Sequence, residues 1–284
     1  MVSPSLVVTV SGPCVTWKRP ASDEMTMSES PTEIARQARL RLLRMHYESK
    51  VGHIGGNLSC LDMLLTLHHR TLTDDDRFVL SKGHAAGALY VTLWSRGLLS
   101  DADLQGFHQD HTKLAGHPPV DGIPGLLFAT GSLGHGLGLA CGLALAKRLK
   151  AEPGRVFCLM SDGEWNEGSC WEALAFAAHQ RLSGLTILVD LNGLQGFGTT
   201  AEVADLGPLA DKLRTFQVDV QEIDGHDPIT IEQALSLRTD RTMAIVARTT
   251  KGHGVSFMEH KMEWHYLPLT EAQYQQAVAE ISGR

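Results

Sequence analysis

The stretch from Val156 to Asn192 limits most narrowly what this chain can fold into. An apolar run, VFCLM, gives way to a polar turn, SDGEWNEGS, then to a helical pattern, CWEALAFAAHQRL, and then to a second apolar run, TILVDLN. Short apolar runs separated by a helix-length segment point to a parallel sheet, since parallel neighbours need a crossover to reconnect. Two more apolar runs, FQVDVQEID and TMAIVART, flank the helical pattern DPITIEQALSLR, and RFVLS adds a strand that ends at Lys82 and Gly83. The fold class is therefore α/β: a doubly wound, mostly parallel sheet with helices on both faces.

Helical spacing accounts for much of the rest. After Pro31, TEIARQARLRLLRMHYES places Ile34, Leu40, Leu43 and Tyr47 at helical intervals. This helix is expected to end at a glycine-rich turn, Gly52 to Gly56. Further helices are predicted in LSCLDMLLTLHHR, AAGALYVTLWSRG and LGLACGLALAKRL, and over Thr270 to Ile281. Residues 101 to 129 read as a long loop-rich segment, and loops of that length inside a compact domain are usually functional. No repeat or low-complexity linker interrupts the pattern. Residues 31–284 are thus read as one domain, and residues 1–30 as a poorly ordered extension.

Composition narrows the function. The 284-residue chain is 43% hydrophobic with a formal net charge of -7. It lacks the basic footprint that a phosphate backbone requires, so nucleic acid is excluded as a partner. The five cysteines form no C-x-x-C pair and fit no closed disulfide framework, which suits buried thiols in a reducing cytoplasm. The apolar run Leu6 to Val10 is too short for a signal-peptide core, and no stretch is long enough to span a bilayer. A cytoplasmic protein is expected, with no membrane partner.

Open parallel sheets bind ligands outside the carboxyl ends of their strands. There the chain places Asp162-Gly163 after VFCLM and Asn192-Gly193 after TILVD. A carboxylate and an amide oxygen are hard donors suited to magnesium completed by phosphate oxygens and water. Gly163 lets backbone N–H groups approach a phosphate, and a helix starting near Gly168 presents its positive dipole end. An Asp-Gly pair alone marks any ordinary turn, so the neighbouring residues must decide.

At this point the sequence resembles the thiamine diphosphate enzymes, whose cofactor motif is G-D-G followed one helix and one strand later by Asn. Ser161 replaces the first glycine here and leaves the metal ligands in place. The resemblance implies thiamine diphosphate and Mg2+, or Ca2+ or Mn2+ in its stead. It further implies Asp162 and Asn192 as ligands, the backbone carbonyl of Leu194 as the third, and Gly163 and Glu164 beside the cofactor.

Further blocks are similar to transketolases in particular, in the same order: S-K-V-G-H-I-G-G-N-L-S at 49–59, D-R-F-V-L-S-K-G-H at 76–84, G-H-P at 116–118 and T-G-S-L-G-H-G at 130–136. A terminal W-H-Y-L-P-L-T follows at 264–270. The similarity covers about residues 32 to 270. It implies that His53, His84, His117 and His265 line the funnel to the cofactor, with His84 also facing the diphosphate. Imidazole suits ketol transfer because its pKa lies near neutrality. Gly131, Ser132 and Leu133 correspond to residues that contact the cofactor. The usual loop reads T-G-P-L-G-Q-G, so Ser132 and His135 are departures that put side-chain contacts there in question. Glu167 corresponds to a glutamate of the dimer interface, although a first-turn acid complementing the helix dipole accounts for it equally simply. His68, His69, His108, His111 and His179 are read as surface or satisfied core residues.

The cofactor-activating glutamate of this family, and its phosphate-clamping arginines, belong to a second domain that the sequence is expected to lack. The expectation is then the diphosphate-binding half of a split transketolase, paired with a chain carrying the pyrimidine-binding and C-terminal domains, in a heterotetramer acting on sugars or sugar phosphates. A 1-deoxyxylulose-5-phosphate synthase-like chain, a 2-oxoacid dehydrogenase alpha chain and a non-catalytic cofactor-binding module are the alternatives. A nucleotide enzyme is excluded, as neither G-x-x-x-x-G-K-[ST] nor a strand-following G-x-G-x-x-G is present.

Overall fold

The computed structural model describes residues 30–283. The expectation for residues 1–30 lies outside the described residues except at Ser30, whose hydroxyl accepts from Glu33 N–H and caps helix α1 (Pro31–Ser49). Five strands, β1 (Arg77–Leu80), β2 (Val156–Ser161), β3 (Leu185–Leu191), β4 (Asp219–Asp224) and β5 (Met243–Arg248), form one sheet in the order β1-β2-β3-β5-β4. Every pairing is parallel, as the alternation of strands and helices predicts.

Helices cover both faces. On one side lie α1, α2 (Ile54–Thr66), α3 (Ala86–Ser95), α9 (Pro228–Ser236) and α10 (Glu271–Ser282), whose apolar residues pack with Phe157, Leu159, Leu188 and Ile245. On the other lie α5 (Gly136–Leu149), α6 (Gly168–His179) and α8 (Leu209–Thr215), packed on Cys158, Met160, Ile187, Val189 and Val246. Successive residues of β2 thus enter opposite cores, the period of two that a strand imposes. Because both faces are apolar, inside-outside alternation cannot by itself set the register. Polar contacts at the strand ends help to set it: Asp162 N–H bonds to the Asp190 carbonyl at 3.1 Å, one step beyond the Ser161–Asp190 pairing.

Several local expectations shift. Gly55 and Gly56 form the first turn of α2 instead of a loop. A Cβ on Gly55 would lie 3.0 Å from Lys251 Cγ and 3.2 Å from Trp264 Cβ, so this glycine serves close packing. The second helix begins at Ile54 and passes after Thr66 into a π-helical turn over Leu67–Thr71. The loop-rich segment carries one short helix, α4 (Asp101–Gln105), closed by a Ser100/Asp103 capping box. The helices α7 (Thr200–Ala204) and α8 are only 5 and 7 residues long, shorter than the window over which helical periodicity can be read. Cys60, Cys141, Cys158 and Cys170 are buried free thiols. Among the described residues no helix is long and apolar enough to cross a membrane.

Candidate active site

The carboxyl edge of the sheet holds a polar network built from the ends of four elements. Asp162 follows β2, and its carboxylate accepts from Gly163 N–H at 2.8 Å and, across the gap between strands, from Gly193 N–H at 2.6 Å. Asn192 follows β3. Its amide nitrogen donates to Asp190 Oδ2 at 3.2 Å, and its Oδ1 accepts from Leu194 N–H at 3.1 Å. Asp190 therefore selects the amide orientation that turns the Asn192 oxygen toward the Gly193–Leu194 turn. Gly193 has φ 76, a left-handed conformation that glycine adopts without a Cβ penalty.

These residues fit a hard divalent cation. Asp162 Oδ2 and Asn192 Oδ1 converge on one turn, each with a further lone pair, and the Leu194 carbonyl belongs to the same turn. Burial, and then the nearby charge of Asp190, push the Asp162 carboxyl up to about 6, so an ionised Asp162 is short of positive charge. Lys82 offsets this only in part, because its ammonium is bonded to Asp190 in a fully buried ion pair and to the Gly56 carbonyl at 2.9 Å.

The four histidines from separate sequence blocks meet beside this network. His53 is at the centre: its ring centroid lies 5.6 Å from that of His84, 5.8 Å from His117 and 4.9 Å from His265. His84 and His265 are 5.7 Å apart. His84 lies deepest, following β1 in a 3-10 turn, with its ring against Gly56. His117 is exposed at the outer end. His53 caps α2 in a left-handed conformation, φ 67, and its side chain makes no cap hydrogen bond. Its backbone N–H donates to the His265 carbonyl at 3.0 Å, which holds the strained residue and joins the two ends of the site.

The electrostatics keep this nest neutral. Burial, then His117, lowers His53 to about 4; burial, then Lys251, lowers His265 to about 3. Burial, then Lys82, takes His84 well below the usual range, while burial and then His108 lower His117. A neutral imidazole has one donor and one acceptor nitrogen, so the nest can both hold hydroxyls and move protons. An anionic diphosphate placed there would raise all four values.

The loop after Thr130 closes another side. Gly131, Ser132 and Leu133 are exposed, with open space around Gly131. The loop lies close to the end of β1, where a side chain on Gly83 would collide with the Thr130 carbonyl. Glu164 is buried and accepts from the Ser81 hydroxyl, Gly134 N–H at 3.0 Å and Ser161 N–H at 3.2 Å. Its carboxylate thus braces the loop that carries Gly131 and Leu133. Glu167 is exposed at the N-terminus of α6, with its Cβ against Gly134.

Two site residues escape a reading of the sequence. Lys82 and Lys251 are both buried, and Lys251 Nζ lies 3.3 Å from His265 Nδ1. Burial, then Lys82, lowers Lys251 to about 8. Both stand in a K-G-H triplet just after a strand, a recurrence visible in the sequence.

Residues 32–282 match the protein family described as "Transketolase, thiamine diphosphate binding domain". The chain belongs to this family. It is 38% identical over 258 residues to one of the subunits of apulose-4-phosphate transketolase from Phocaeicola vulgatus, covering 87% of this chain and 92% of that protein. It is also 38% identical over 271 residues to 6-deoxy-6-sulfo-D-fructose transketolase subunit SqwG of Clostridium sp. (strain MSTE9), covering 90% and 98% respectively. Among solved structures, transketolase from Leishmania mexicana superposes with a TM-score of 0.84 at 28% identity, over 89% of this chain and 41% of that one. This transketolase-family domain thus spans about two fifths of that structure but nearly the whole of the two proteins named as transketolase subunits.

Proposed function

We propose that this chain is the diphosphate-binding subunit of a two-chain transketolase, which moves a two-carbon ketol unit from a ketose or ketose-phosphate donor to an aldose or aldose-phosphate acceptor. The observation that carries the reading is the His53-centred nest of four imidazoles beside the Asp162–Asn192 turn. Asp162, Asn192 and the Leu194 carbonyl would hold Mg2+, to which the diphosphate adds oxygens, with Gly163 N–H groups and the start of α6 nearby. Bound thiamine diphosphate supplies the nucleophilic carbon and the electron sink.

The chain's own residues bind and shuttle. His84 and Lys251 face the anionic end, and Gly131 with Leu133 supports the middle of the cofactor, while Ser132 keeps only a backbone role. His53, His117 and His265 hold sugar hydroxyls, accept the proton released when the donor's carbon–carbon bond breaks, and return one when the acceptor's carbonyl becomes an alcohol. Glu167 would meet a neighbouring chain. That both relatives are named as subunits supports a partner chain, and the full assembly would be a cytoplasmic heterotetramer. The sugars in those names differ, so the family name alone does not fix this chain's substrate.

The test is co-expression with the partner chain, followed by ketol-transfer assays over a sugar-phosphate panel with thiamine diphosphate and magnesium. Activity that needs both chains and both cofactors is expected. Full activity from this chain alone would refute the two-chain reading.

A further inference from the structure

We propose that His108 is a substrate-specificity residue, contacting the outer hydroxyls of the aldose portion of the substrate at the mouth of the histidine funnel. This rests on the ketol-transfer reading and extends it to a residue that the sequence motifs leave with surface and core histidines. The segment from Gly106 to His117 is a compact loop pinned from beneath. Phe107 is buried with its ring 5.3 Å from His46 and 6.0 Å from Tyr90, Leu114 is buried, and the Tyr90 hydroxyl donates to the Ala115 carbonyl at 2.9 Å. Between these anchors His108 is turned outward.

Its backbone is left-handed, φ 58, and its N–H donates to the Leu114 carbonyl at 2.7 Å. Such a conformation disfavours a residue with a Cβ, so the loop holds this imidazole at a conformational cost. The ring leans over Gly116: a Cβ there would lie 2.8 Å from His108 Cδ2 and 2.9 Å from Nε2. The glycine of the G-H-P block therefore makes room for His108. The next residue is His117, whose ring meets His53 at 5.8 Å.

The result is a series from the half-buried His84 and His53 to the exposed His117 and His108. The His108 ring packs on Gly116, directly before His117, so one loop presents both imidazoles at the exposed end of the series. Among the described residues no hydrogen-bond partner is seen for the His108 imidazole, which leaves a donor and an acceptor nitrogen for a polyol. A substrate whose reacting carbons lie by His53 and His265 extends outward past His117 and reaches it.

The test uses the complex of both chains and compares two acceptors: a pentose phosphate, long enough to reach His108, and glycolaldehyde, which is not. His108→Ala is expected to lower kcat/KM for the pentose phosphate about tenfold, the loss of one hydrogen bond, mostly through KM. Activity toward glycolaldehyde and calorimetric affinity for thiamine diphosphate should be unchanged, and His108→Gln, which keeps a donor and an acceptor, should recover part of the loss. An equal loss for both acceptors, or no loss for either, overturns the proposal. An unmodified complex without ketol transfer would refute the functional reading itself, and this inference with it.

Discussion

The Lys82–Asp190 pair offers the sharpest test of how the site is held together. Both side chains are fully buried, and the pair ties the end of β1 to the end of β3. Asp190 also accepts from the hydroxyls of Ser59 and Thr249 and from the Asn192 amide. Although burial opposes charge on either group, each partner's charge keeps Lys82 above the ordinary lysine range and Asp190 below the ordinary carboxylate range. Asp190→Asn leaves a buried ammonium without a counter-charge and should cost about 3–5 kcal/mol. Lys82→Met leaves a carboxylate that still has three donors, so its cost should fall at about 3 kcal/mol, the lower end. The double variant buries no net charge, and its asparagine can still accept from Ser59 or Thr249. Its cost should therefore undercut the sum of the single costs by about 2–3 kcal/mol. Urea denaturation of the four chains, followed by circular dichroism, measures this coupling. Additivity within about 0.5 kcal/mol would refute the claim that the two charges neutralise one another.

Other residues give independent tests. Asp162→Ala removes the one carboxylate of the proposed cation site and should abolish magnesium-dependent binding of thiamine diphosphate by calorimetry; an undiminished affinity would remove Asp162 from that site. His117→Ala should spare cofactor binding and lower turnover of the assembled complex by about 10²-fold or more, the range for acid-base groups, and unchanged turnover would take His117 out of the mechanism. Burial holds His46 down at about 4, against 6.5 for an ordinary histidine. The unfolded chain therefore binds this proton first, and stability present above pH 6.5 is lost as the pH falls toward 4, at up to about 1.4 kcal/mol per pH unit for this group. The urea midpoint should fall across that window, less steeply in His46→Phe; a midpoint flat between pH 7 and 5 would contradict this.

How much of the molecule the sequence reveals depends on whether a feature belongs to one segment or to two. The strands β2, β3 and β5 are apolar on both faces and short, so each is evident from its own residues. Asp162 and Asn192 stand at the ends of two of them, and the parallel pairing of β2 with β3 brings their loops together. The histidines are legible because each lies in a block with glycine, or beside Trp264, and those glycines answer to packing. Gly83 yields to the Thr130 carbonyl, Gly116 to His108, and Gly55 to Lys251 and Trp264. The helices α7 and α8 are not legible because, at 5 and 7 residues, each is too short to display a helical period. The bracing role of Glu164 is hidden because a 3-10 turn over Gly163–Asn166 aims its carboxylate at Ser81 and Gly134, partners its own segment does not reveal.

The lysines are hidden for a deeper reason. A lysine in a sequence is read as exposed, since burying an unpaired ammonium costs several kcal/mol. Only the fold reveals that Asp190, remote in sequence, meets Lys82, or that Lys251 is buried between Gly55 and His265. The arrangement has a functional logic. Lys82 is committed to Asp190, and Asp190 in turn orients Asn192, so this first cation supports the Asp162–Asn192 turn from behind. Among the described residues no carboxylate is paired with Lys251: burial and Lys82 together lower it to about 8, whereas Asp162 and Asp190 only partly oppose that shift. A buried lysine held near the threshold of charge gains most when an anion arrives. On the function proposed above, the two cations divide the work by their partners: one stabilises the fold of the site, and the other meets the diphosphate. If so, Lys251→Met should weaken thiamine diphosphate binding while leaving the urea midpoint nearly unchanged, and Lys82→Met should do the reverse in order of severity. Equal effects of the two substitutions on both measurements would show that the division does not exist.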